Sequence, residues 1–266
     1  MRSIWKGAIS FGLVSIPIKL YAATESKDVH FHYLHKADGS RIEYRKVCAE
    51  EEREVANDEL VRGYEYAKGQ YVTVEEDDVE RIPLASGHAI EITEFVDLPK
   101  VDPIYFEKTY YLEPQEGAGK PYSLLKRAMA QANKIALAKI VLRDKEHLAL
   151  VRCVGDVLAL ETLFYPDEIR DSSQLEGIQA DVAVSDKEMA MAVNLIEALA
   201  GEFEPEKYKD NYREALLEVI NQKIQGTPLE ETPQAKPSTR VMDLMEALRA
   251  SVEMAKGAPE ERSKVA

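Results

Sequence analysis

The sequence predicts a mixed β + α protein, strand-rich over residues 1–180 and helical in its C-terminal third. Three observations predict it. Apolar residues recur at period two through a series of short runs in the first part of the chain. One amphipathic helix, beginning near Lys120, interrupts those runs. Beyond residue 181 the period becomes 3.6, and Ser185 with Glu188 forms a capping box ahead of an apolar stripe.

Taken in order, Ile9, Phe11 and Leu13 alternate with small residues and are expected to share one buried face. After Ser15 the apolar phase shifts to Ile16, Ile18 and Leu20. Such a shift calls for a bend or bulge at Gly12 or Pro17, a corner of the kind barrels use. Val29–His35 reads as a further strand. Along it His30 and His32 would share a face and His35 would point away, so these read as surface histidines rather than metal ligands. Ala37–Gly69 is less regular, and Glu50, Glu51, Glu52 and Glu54 read as a solvated acidic face. Thr73 with Glu76 is expected to cap a short helix running to Arg81. Ile90–Val96 and Ile104–Leu112 are strands, with Pro99 and Pro103 in the connection.

The stretch from Lys120 to Tyr165 carries the most information. Pro121 suits a first helical turn. Leu124, Leu125, Ala128, Met129 and Ala132 fall on one side of the helix, and Lys126, Arg127, Gln131 and Lys134 fall on the other. Asn133 can end the helix in a left-handed conformation. Strands follow over Ile135–Arg143, His147–Val154 and Val157–Tyr165, with Gly155-Asp156 as a two-residue II′ turn. Lys120, Lys126, Arg127, Lys134, Lys139, Arg143 and Lys145 face a single local acid, Asp144, in a chain whose formal net charge is -14. Segregated positive charge of this kind points to a polyanionic partner.

The C-terminal third contributes helices with uncovered faces: Met189, Ala192, Val193, Ile196 and Leu199, ended by Gly201; then Tyr212, Leu216, Val219, Ile220 and Ile224, ended near Gly226. Residues 227–238, with Pro228, Pro233 and Pro237, read as a linker. Residues 239–266 hold a last amphipathic helix, capped by Thr239, with Val241, Leu244, Met245, Leu248, Val252 and Ala255 along one side. Such a helix suits docking in a partner's groove, or onto its own domain.

Composition narrows the class. A chain of 266 residues with 45% hydrophobic and 31% charged residues has the make-up of a soluble protein, and no apolar run is long enough to span a membrane. A faint signal-peptide likeness over residues 8–18 is broken by Gly12 and Pro17 and flanked by Gly7 and Lys19. Two cysteines, Cys48 and Cys153, suggest a reducing, cytoplasmic compartment. No phosphate-binding loop, dinucleotide fingerprint, zinc-protease motif or nucleophile elbow is present, so neither catalysis nor a cofactor is expected. Cys153, between strand residues, reads as an inert thiol.

Ser3–Tyr21 closely resembles the opening of the bacterial Ku proteins, the DNA-end-binding factors of non-homologous end joining. The likeness continues through Gly63-Tyr64-Glu65-Tyr66, Gly69-Gln70-Tyr71-Val72, Tyr105–Leu112, Leu142–Ala149 and Phe164–Arg170. It departs where many bacterial Ku sequences carry Cys-x-x-Cys: after Cys48 the second position is Glu51, so a thiolate zinc site is not expected. The resemblance implies a Ku-core β-barrel over 1–180 with an arch excursion near 36–70 that crosses the duplex. It implies a helical arm over 181–226 that embraces a second copy, and a ring-shaped homodimer that threads onto double-stranded DNA ends without reading sequence. Association with the bacterial nucleoid would follow. Phosphate contacts are expected from Arg41, Arg45 and Lys46 on the excursion and from Lys120, Lys126, Arg127, Lys134, Lys139 and Arg143. Val241, Leu244, Met245, Leu248 and Arg249 resemble the Ku tail motif that engages the multifunctional ATP-dependent end-joining ligase. A protein-interaction scaffold without direct DNA binding is the alternative.

Overall fold

The structure, a computed structural model, describes residues 1–82, 88–143, 145–178, 182–227 and 244–257. It forms two compact units. One holds Met1–Lys27 and His32–Ser172. The other holds Asp28–Phe31 with the described part of Ser173–Ala266.

The first unit is a closed barrel. Its strands are β1 (Trp5–Phe11), β2 (Val14–Ala22), β5 (Ala89–Val96), β6 (Phe106–Pro114), β7 (Ile135–Leu142), β8 (Lys145–Val154) and β9 (Val157–Leu163). They run in the order β1-β2-β6-β9-β8-β7-β5, and β5 returns to β1 as a parallel pair. The period-two residues fill the inside: Ile9, Ile16, Ile18, Leu20, Ile90, Leu112, Ile140 and Leu158 are fully buried. The parallel seam is tight. At Gly7 a Cβ would lie 2.2 Å from the His88 carbonyl oxygen, so β1 needs a residue without a side chain where β5 begins.

The helix α2 (Gly119–Ala132) closes onto this interior with Tyr122, Leu125 and Met129. The Tyr122 hydroxyl donates to the Leu112 carbonyl and accepts from the Leu158 amide, each at 2.7 Å, tying the helix to β6 and β9. Asn133 ends α2 in the left-handed region at φ 51°. Of the residues β8 and β9 leave at their turn, Gly155 has positive φ and Asp156 does not, as a II′ turn requires.

On the outer wall of β7 and β8, Ile135, Leu137, Leu148 and Leu150 form a second apolar layer with Val101 and Tyr105 from the β5–β6 connection and with Val96 and Phe106 at its two ends. Beneath that connection Arg152 donates twice to one carboxylate oxygen of Glu161 (2.8 and 2.6 Å), a pair sealed from solvent on the acid side.

Between β2 and β5 the chain leaves the barrel. Here β3 (Arg62–Ala67) and β4 (Gln70–Val74) form a separate two-stranded sheet in which every residue but Val74 is exposed. The short helix α1 (Glu76–Glu80) follows.

Several sequence expectations are corrected. Phe11 is 41% exposed and Leu13 lies in the β1–β2 turn at Gly12, fully exposed, so only Ile9 of that trio reaches the core; the phase shift marks a hairpin, not a bulge. Val29–His35 is not a strand; its only pairing is an isolated bridge of Leu34 to Arg41. The cap of α1 is Glu75, whose amide donates to Asp78, not Thr73. Leu124, Ala128 and Ala132 are exposed rather than buried, because α2 turns its Leu125–Met129 edge inward.

The second unit contains α3 (Asp186–Leu199), α4 (Asn211–Gln225) and α5 (Leu244–Gly257). Ser185 and Glu188 form the expected capping box. α3 ends at Leu199 with Ala200 as its cap, one residue before Gly201, and Gly226 ends α4 at φ 70°. The helix α5 packs on α3. Thr239, Val241 and all of the expected linker except Thr227 lie outside the described residues.

Candidate nucleic-acid interface

All nine basic residues expected to meet phosphate belong to the barrel unit, on three separate pieces of it. Lys120, Lys126 and Arg127 lie along α2. The packing of Tyr122, Leu125 and Met129 forces the intervening positions outward, so Lys120 and Arg127 are exposed. Neither makes an ion pair or hydrogen bond to another described residue. Lys126 does: its ammonium donates to the Asp156 carbonyl at 2.8 Å and lies 3.9 Å from the Asp156 carboxylate, joining α2 to the β8–β9 turn.

The second piece is β7 with its flanks. Lys134 donates to Asp97 at 2.6 Å, and Lys134 and then Lys100 hold the Asp97 carboxyl below the usual carboxylate range. Lys139 donates to Glu146 at 2.8 Å, which raises its own pKa. It stands on the outer wall with Ile135 and Leu137, since Ala136, Ala138 and Ile140 point inward. Arg143 occupies the β7–β8 turn at φ 52°, exposed and without an ion pair to a described residue.

The excursion supplies the third. Arg45 pairs with Glu54 at 3.0 Å, Lys46 donates to Asn57 at 2.8 Å, and Arg41 reaches the His32 ring at 3.4 Å. Arg53, absent from the sequence reading, organises this region. Its guanidinium holds Glu51 and Glu59, and Glu59 also accepts from the Ala56 amide. Glu51, Arg53 and Glu59 are two and six positions apart in a stretch that forms no strand, so their spacing alone did not mark the cluster.

Four of the nine, Arg45, Lys126, Lys134 and Lys139, therefore face a carboxylate already. Lys120, Arg127 and Arg143 are the cations left open to an anion, with Arg62 on β3 as an exposed addition that sequence reasoning did not single out. Of the four carboxylate pairs only Arg45–Glu54 is exposed on both sides, a kind worth about 0–1 kcal/mol and screened by salt, so a phosphate can displace that carboxylate at small cost; Lys126, Lys134 and Glu146 leave the other three half-buried.

Beside α2 lies an apolar groove of about 380 Å³, lined by Phe11, Val14, Phe95, Leu124 and Ala128 and rimmed by Lys134. Exposed apolar side chains recur in the second unit, on α3 (Met189, Val193, Ile196) and on α4 (Tyr212, Leu217, Ile224). Among the described residues no cluster of three metal-ligating side chains occurs, and no helix is long and apolar enough to cross a membrane.

Comparison with known proteins bears on this arrangement. The description of the Ku70/Ku80 β-barrel domain matches residues 10–191. That match includes every barrel strand except most of β1. The chain belongs to the Ku family. It is 52% identical to a non-homologous end joining protein Ku of Symbiobacterium thermophilum over 96% of this chain, and 47% identical to that of Heliobacterium modesticaldum over the same share. A Ku of Bacillus subtilis is 44% identical over 95%. The matched region spans 63%, 93% and 82% of those relatives' own lengths respectively.

Proposed function

We propose that this Ku chain binds double-stranded DNA ends in non-homologous end joining, without sequence preference and without catalysing a covalent step. The observation that carries the reading is a closed Ku barrel bearing an exposed excursion, with Lys120, Arg127 and Arg143 open to anions in a chain otherwise strongly acidic. Phosphate contacts release condensed counterions, while the acidic remainder discourages binding elsewhere. No base-reading motif is recognisable in the sequence. A ring-shaped homodimer supplies the end requirement. The groove beside α2 and the bare faces of α3 and α4 support it, because apolar surfaces of this sort mark interfaces. The C-terminal helix, through Leu244, Met245, Leu248 and Arg249 with Val241 ahead of them, recruits the ATP-dependent end-joining ligase.

Linear duplex should bind far more tightly than a closed circle of the same sequence in filter or gel assays; equal affinity would remove the ring. Affinity should fall by about 10³–10⁵ between 50 and 200 mM salt if roughly 6–10 phosphates are contacted. Arg127→Ala should lower the slope of log affinity against log salt by about 1, and adding Lys126→Ala should lower it further. An unchanged slope would move the interface off α2.

The carboxylate pairing of Arg45, Lys126, Lys134 and Lys139 favours a second reading, a protein-interaction scaffold that leaves DNA alone. A gel shift with a short blunt duplex separates the two, since the scaffold shifts nothing.

A further inference from the structure

Two of the residues proposed to dock on the ligase, Met245 and Leu248, lie on the covered side of α5 together with Val252. Along α5, Val252 is buried and Met245, Leu248 and Ser251 are half-buried, while Glu246, Arg249, Glu253 and Met254 are exposed. Positions 245, 248 and 252 form one side of a helix. The element α5 chiefly packs on is α3, where the half-covered positions are Glu188, Met191, Ala192 and Leu195. The opposite edge of α3, at Met189, Val193 and Ile196, stays exposed. α3 is thus apolar on two sides, and α5 occupies one of them.

We propose that the α3–α5 contact is an internal competitor for the ligase: α5 must leave α3 before its Met245–Leu248–Val252 stripe can enter a groove on the enzyme. This rests on the proposed role of the tail in ligase recruitment. One apolar stripe cannot be buried twice, so docking in cis and docking in trans exclude each other. The connection between Thr227 and Leu244 has the proline-rich composition of a spacer, so α5 can depart without drawing α4 with it. The consequence is a recruitment step weakened in proportion to the closed fraction. If α5 is undocked about one-tenth of the time, the apparent Kd is roughly tenfold above the intrinsic one. Any event that covers the Met191–Leu195 face by another route would release the tail.

The test uses the full chain and the purified end-joining ligase of the same organism. Leu195→Asp, on α3 and outside the tail, should tighten ligase binding on the order of tenfold, as its closed state is lost. Removal of residues 244–257 should abolish binding. If that deletion binds ligase as the full chain does, the recruitment reading fails; if the deletion abolishes binding but Leu195→Asp leaves the affinity unchanged or weaker, recruitment stands and the competition is wrong. Should Leu195→Asp fold poorly, the unmodified protein answers alone. Hydroxyl-radical footprinting should show Met191 becoming more reactive when ligase is added, because the covering helix has gone. Unchanged or lower reactivity of Met191 in the bound state would mean that the ligase reads α5 in place, and the proposal falls.

Discussion

The barrel and the excursion between β2 and β5, from His32 onward, sit in one unit but are held by different forces. Barrel strands fill a shared interior with side chains at zero exposure and close their hydrogen-bond ladder on itself. From Phe31 to Gln70 every residue is exposed except Cys48 and Val55, which are half-buried. What shapes the excursion is polar: Asp38 accepts from the Ser40 amide and hydroxyl, Arg53 gathers Glu51 and Glu59, and Arg45 meets Glu54. Such exposed contacts are worth little each, and a lone two-stranded hairpin is marginal in water. The barrel is held by its own packing, whereas the excursion is held by surface polar contacts without a core of buried side chains.

The largest expected contrast comes from truncating one side chain in each region. Leu158→Ala, at zero exposure inside the barrel, should cost about 2–5 kcal/mol, while Tyr71→Ala on β4 should stay within about 0.5 kcal/mol. Urea midpoints of the two variants measure both; a Tyr71 variant as damaged as the Leu158 one would mean that the excursion has a core of its own. A smaller effect, about 1–3 kcal/mol, is expected for Tyr122→Phe, which strands the Leu112 carbonyl and the Leu158 amide while keeping the ring. The same urea titration applies, and a neutral result would show that the hydroxyl is dispensable to α2.

The mildest contrast is chemical. The amides of Glu51 and then Glu50, with Arg53 nearby, lower the Cys48 thiol pKa, whereas burial raises that of Cys153, whose S–H points to the Lys126 carbonyl at 3.4 Å. The thiolate is the reactive species. Cys48 should therefore label with iodoacetamide at lower pH than a free thiol, and Cys153 only at higher pH or on unfolding. Mass spectrometry after a pH series decides; equal rates would put the two cysteines in equivalent surroundings.

How far the molecule could be read in advance follows the same division. The barrel strands, α2 and the Asn133 and Gly155 termini were legible because period, turn chemistry and left-handed residues agree there. Val29–His35 was misread because alternation without a partner strand carries no ladder. The end-joining family was legible from the opening nineteen residues and the motifs that follow. The state of the basic residues was not: Lys126 meets Asp156 and Lys134 meets Asp97 across 30 and 37 positions, and nothing local announces either pairing.

The seam at Gly7 has a consequence for how the chain folds. Ile9 and Ile90 pair there, so the circuit cannot shut until the whole excursion has been made and its two ends drawn side by side. Hairpins such as β7–β8–β9 can form early from near neighbours, leaving the parallel join as the slow, non-local event. Yet loop-closure entropy grows only logarithmically, about 0.6 kcal/mol for each doubling of length. An arch inserted at this point can therefore grow or shrink over evolution while the vessel beneath it keeps its shape.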